Sequence, residues 1–79
     1  MDKSRLIRER ERLARLLREL RTEAGLRQTD LAEKLGEPQS YVSKYESGEQ
    51  RLDMIEVHSI CQALGVSLTE FVGRFERNT

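Results

Sequence analysis

Four side chains at helical spacing, Gln39, Ser40, Ser43 and Lys44, carry the clearest chemistry in this chain. Steps of three and four residues put them along one side of a helix, with Val42 and Tyr45 on the opposite side. Their amide, hydroxyl and ammonium groups donate and accept hydrogen bonds, and none of the four is negatively charged. Such a face suits a helix lying in the major groove of DNA, where glutamine can bond adenine through two atoms, lysine donates to guanine, and serine takes either role. The expected work is recognition of base edges, and bond making has no visible apparatus. The sequence contains no glycine-rich phosphate loop, no histidine paired with a nucleophile and no metal-ligand cluster, so no catalytic residue, cofactor or metal is expected.

The elements that must hold this face are two short helices over residues 28–47. Leu31, Ala32 and Leu35 form the apolar side of the first, Val42 and Tyr45 that of the second, and Gly36 stands at the joint. Glycine can take the left-handed conformation that ends a helix, and Pro38 suits the start of the next one. Ala32, one turn before Gly36, is small enough to let the helices cross closely, as a helix-turn-helix pair requires.

Size and composition restrict the rest. A chain of 79 residues makes one domain, 1–79, because so short a chain buries only ~60% of its unfolded surface. A third of the residues are charged and few are aromatic, which favours an all-α fold. No apolar run approaches the roughly 20 residues of a membrane span, and the start lacks a signal-peptide core, so a cytoplasmic location is expected. The formal charge of zero opposes binding a polyanion by overall attraction. Its distribution is uneven: residues 1–23 carry eight Lys/Arg against five Asp/Glu, and the remainder six against nine.

Taken in order, residues 2–23 hold no Gly or Pro and read as one long helix that Gly25 ends. Leu13, Leu16, Leu17, Leu20 and Ala24 form its core stripe. Upstream, only Leu6 and Ile7 are apolar; they are expected to rest on the carboxy-terminal helix of the same or a neighbouring subunit, with the arginines paired to Glu9, Glu11 and Glu19 on a solvated face. A coiled-coil seam through Leu6, Leu13 and Leu20 is an alternative, opposed by charge near Glu9 and Arg10. Asp53 with Glu56 fits a capping box opening a fourth helix, whose inward stripe is Val57, Ile60, Cys61 and Leu64. Cys61, the single cysteine, reads as a small buried apolar group. His58 lies beside that stripe as a rim residue. Gly65 ends the helix, and Ser67 with Glu70 opens a fifth, where Val66, Leu68, Phe71, Val72 and Phe75 crowd residues 66–75. So much apolar surface at a chain end calls for a partner as well as the chain's own core.

From about Leu17 to Phe71 the sequence resembles the lambda-repressor-like (Cro-type, or XRE) helix-turn-helix family. The resemblance is carried by Leu17-Arg18-x-Leu20-Arg21, Gly25-Leu26-Arg27-Gln28, Leu31-Ala32-x-x-Leu35-Gly36, the run Gln39 to Gly48, and Leu64-Gly65-Val66. It implies five helices, with residues 2–12 an extension of the first helix, and a bacterial or phage-type regulator, commonly a repressor, that binds double-stranded DNA as a homodimer on a palindromic operator. It implies base contacts from Gln39, Ser40, Ser43 and Lys44, and a phosphate contact from Gln28, with Arg27, Thr29, Tyr41 and Arg51 as further phosphate candidates. It implies an ion pair between Arg21 and Glu46 and a dimer surface of Val66, Leu68, Phe71, Val72 and Phe75. Three residues depart from the family pattern, one of them Pro38, which replaces a common capping Ser or Thr. Arg27 stands where a capping Ser or Thr is usual, and Glu37 brings negative charge to the turn, where it opposes nearby phosphate contacts. With no effector domain in view, occupancy is expected to follow the protein's own concentration. An antitoxin or adaptor on the same fold, with a protein partner, is the alternative.

Overall fold

A computed structural model describes residues 2–77; Met1, Asn78 and Thr79 of the expected 1–79 domain lie outside the described residues. The described residues form five helices and no strand: α1 Lys3–Glu23, α2 Gln28–Leu35, α3 Gln39–Glu46, α4 Met54–Leu64 and α5 Leu68–Arg77. At 1.5 Å per residue α1 is ~31 Å long. It sets the long axis of a molecule measuring 36 × 24 × 20 Å.

Each boundary has a local cause. Asp2 caps α1, its carboxylate accepting from the Ser4 N–H at 3.1 Å. Gly36, at φ 68°, closes α2, and the Glu37 N–H returns to the Ala32 carbonyl at 3.0 Å. Pro38 is then the N-cap of α3, with extended backbone. Asp53 and Glu56 form the expected reciprocal box at the head of α4: Glu56 N–H donates to Asp53 Oδ1 at 2.8 Å, and Asp53 N–H to Glu56 Oε1 at 3.1 Å. Ser67 Oγ accepts from the Glu70 N–H at the start of α5.

One core joins all five helices. Leu16, Leu17 and Leu20 of α1 meet Leu31 and Ala32 of α2, Val42 and Tyr45 of α3, Val57, Ile60 and Cys61 of α4, and Phe71 of α5. Cys61 is fully buried, and burial pushes its thiol upward, consistent with an inert filler. The expected stripe of α1 stops one turn early: Ala24 is exposed and serves as the C-cap, because the chain turns away there before Gly25. Ala14 takes a buried place that the stripe reading missed.

The extension is tied down by Arg12, which lies over the Phe75 ring at 4.3 Å, donates to the Phe75 carbonyl and pairs with Glu9. Farther down, Arg74 of α5 grips Glu23 with two hydrogen bonds of 2.8 and 2.9 Å and approaches Glu19 at 3.8 Å. Among the described residues Glu19 therefore pairs across to α5, where an arginine of its own helix was expected. Leu6 is partly covered, but Ile7 stays half exposed, so its expected cover is not supplied by the described residues.

Tyr45 leaves one debt in the core. Its ring is buried, yet its hydroxyl has no hydrogen-bond partner among the described residues. An unsatisfied buried donor costs ~1–3 kcal/mol, so Tyr45→Phe is expected to raise stability by about 1 kcal/mol, or roughly 4–8 °C in Tm. A thermal melt checks this; a lower Tm would mean that the hydroxyl has an acceptor after all.

Candidate nucleic-acid interface

The helix-turn-helix forms as its residues dictate. Leu31, Ala32 and Val42 are driven into the core, so α3 can only present its remaining face outward. Gln39, Ser40 and Lys44 are exposed on that face, and Ser43 is half-buried beside them. Thus the structure brings together all four expected base readers.

A hydrogen-bonded chain holds the first reader in place. Gln39 Nε2 donates to Gln28 Oε1 at 2.6 Å, and Gln28 Nε2 donates to Glu46 Oε1 at 3.0 Å. Glu46 is gripped in turn by Arg21, through Nε at 2.7 Å and Nη2 at 3.0 Å, and Arg21 Nη1 donates to the Leu26 carbonyl at 2.8 Å. Both partners of the ion pair are buried, with 10% and 3% of their side chains exposed. The hydrogen bonds that Arg21 donates to Glu46 raise its pKa despite the opposing effect of burial, so the guanidinium stays charged. One network therefore spans α1, the α1–α2 turn, α2 and both ends of α3.

Gln39 keeps useful capacity within this chain. An amide has two N–H donors and a carbonyl with two lone pairs, and only one donor is committed to Gln28. The second N–H and the carbonyl match the N7 and N6 positions of adenine.

The phosphate candidates are placed unequally. Gln28, at the first position of α2, is half-buried, with both ends of its amide engaged. Thr29 and Arg51 are exposed. Arg27 caps α2 in an unusual way. Since its side chain has no acceptor, the Asp30 carboxylate reaches back to the Arg27 N–H at 2.8 Å and also receives two guanidinium hydrogen bonds of 3.1 Å. Those bonds hold the Asp30 carboxyl below its ordinary range, and the arginine side chain remains 82% exposed.

Tyr41 departs from expectation. It is half-buried edge-on to Tyr45, with ring centroids 5.5 Å apart, and its hydroxyl donates to Glu56 Oε2 at 2.9 Å. Burial, followed by that carboxylate, pushes its pKa upward. The hydroxyl has spent its one proton on Glu56, so a phosphate-binding role does not fit. The expected dimer surface also needs correction. Phe71 is 4% exposed and belongs to the core, because it faces inward where Val72, one residue on, turns outward at 41%. Phe75 is partly buried beneath Arg12, and Val66 and Leu68 are partly buried against the core.

Five helices, a glycine-closed turn and an exposed polar helix braced from behind define the lambda-repressor-like class of DNA-binding domain. Residues 17–71 match the helix-turn-helix family model. The chain belongs to that family, as a transcriptional regulator of the XRE type. It is 40% identical over 53 residues to the HTH-type transcriptional regulator y4dJ of Sinorhizobium fredii, covering 67% of this chain and 69% of the relative. Among solved structures, an XRE-family like protein from Pseudomonas syringae pv. tomato is 39% identical with a TM-score of 0.87, over 98% of this chain and 94% of that one. The restriction-modification controller protein C.Esp1396I, solved as a tetramer in complex with its natural 35 base-pair operator, is 25% identical with a TM-score of 0.82, over 87% and 91% of the two chains. No described helix is long and apolar enough to cross a membrane.

Proposed function

We propose that this regulator reads a palindromic operator as a homodimer, each protomer placing α3 in the major groove. The observation that carries the reading is the exposed row of Gln39, Ser40 and Lys44 braced by Gln28 and Glu46. Gln39, Ser40, Ser43 and Lys44 read base edges, while Gln28, Thr29, Arg27 and Arg51 contact phosphates. Two-fold pairing would set the recognition helices about 34 Å apart, one turn of DNA. The operator-bound tetramer of C.Esp1396I supports DNA binding by an assembly of such domains.

Since formal net charge is zero, affinity must come from local contacts and not from the overall field. With four or more phosphates engaged, affinity for duplex DNA is expected to fall at least about a hundredfold between roughly 50 and 200 mM salt. A gel-shift series measures the slope. No binding at the lowest salt would instead favour an adaptor or antitoxin that recognises a protein.

The pairing surface is assigned to the outer side of α5, where Leu68, Val72 and Gly73 border a shallow apolar hollow. Val72→Asp is expected to leave the helical spectrum unaltered and shift the protein to monomer in analytical ultracentrifugation. A variant that still sediments as a dimer would move the interface elsewhere.

A further inference from the structure

α1 takes no part in the polar face of α3, yet one side of it, from Arg10 at the end of the extension to Leu17, builds one wall of a pocket of about 230 Å³. The other wall is the end of α3 and the loop that follows. Leu13, Leu17, Leu52 and Tyr45 supply apolar and aromatic lining, and Arg10 of α1 and Arg51 of the loop complete it from opposite walls. Arg12, Arg21, Arg27 and Arg74 each have a carboxylate partner. Among the described residues Arg10 and Arg51 have none, as is true of Arg5, Arg8, Arg15, Arg18 and Arg77, but of these seven Arg10 alone is half-buried. A charge drawn toward apolar surface favours a counter-charge close by. The Tyr45 hydroxyl, on the residue that forms part of the wall, is likewise without a partner among the described residues.

We propose that this pocket binds a small organic anion: a carboxylate with an apolar body, of roughly seven to thirteen non-hydrogen atoms in all. A dry cavity of ~150 Å³ is known to accept benzene, so the space here suits a ring or branched chain bearing a short acidic arm. Guanidinium groups match a carboxylate through paired N–H donors, and the leucines take the apolar body. Arg51 is also a phosphate candidate, so a bound anion would compete with the DNA backbone. That coupling rests on the DNA-binding reading, whereas anion binding itself does not.

The test uses the full chain without DNA, labelled with nitrogen-15 and titrated with isovalerate, phenylacetate and indole-3-acetate. At least one acid is expected to give saturable shifts confined to amides of residues 10–17 and 48–52. Arg10→Gln and Arg51→Gln, each melting like the parent, are expected to weaken that binding by about tenfold or more. Phenethylamine, which has the ring but the opposite charge, should give none. The proposal is overturned by silence from all three acids, by equal shifts with phenethylamine, or by unchanged affinity in both arginine variants.

Discussion

Glu46→Ala is expected to cost about 3–5 kcal/mol of stability, because it strips a buried arginine of its counter-charge. Arg21 would retain only the Leu26 carbonyl of its present partners, and it cannot escape by losing its proton, since arginine stays charged at any working pH. Gln28 loses its acceptor in the same stroke. For a domain of this size the loss corresponds to a Tm lower by upwards of about 12 °C. Urea and thermal melts followed by far-UV circular dichroism measure it, and DNA binding is expected to vanish together with the lost stability. Glu46→Gln, which keeps an acceptor for Arg21 while removing the charge, should fall between the two. An alanine variant that melts within about 0.5 kcal/mol of the parent would show that solvent already screens this pair.

The second large effect separates recognition from folding. Gln39 and Lys44 are exposed, so alanine at either position should alter stability by no more than about 0.5 kcal/mol. Each good two-point base contact carries about 1–3 kcal/mol of discrimination. Combined, Gln39→Ala and Lys44→Ala are expected to cut the preference for operator over random duplex by about a hundredfold or more, if the two sites act nearly independently. Competition footprinting supplies the ratio. Should the double variant keep the parent's preference, another surface reads the bases.

The contrast between these substitutions reflects what could be read from residue order. Helix ends were legible because Gly36, Pro38, Asp53 and Gly65 act through local backbone chemistry, and each behaves as its type demands. The outward row on α3 followed from the inward pull of Val42 and Tyr45. The link between Arg21 and Glu46 was available only through family resemblance, since twenty-five positions separate the two residues. Contacts between remote side chains were hidden: periodicity tells which side of a helix is apolar, and not which residue of another helix will oppose it. That is why Arg12 over Phe75, Tyr41 with Glu56 and Gln28 with Gln39 had to be seen. At the carboxy end, a cluster of adjacent apolar residues blurred the distinction between Phe71, which fills the core, and Val72, which does not. The Arg27 cap was illegible for a different reason, because the work passes to Asp30, three residues later.

The clasp on Gln39 bears on timing as well as geometry. A free glutamine immobilised at an interface surrenders up to about 1.5–2 kcal/mol of rotamer freedom. Here much of that loss is incurred when the protein folds, long before a duplex arrives, so Gln28→Ala, which releases Gln39 and also removes a proposed phosphate contact, would make each correct encounter shorter lived while leaving the frequency of encounters nearly unchanged.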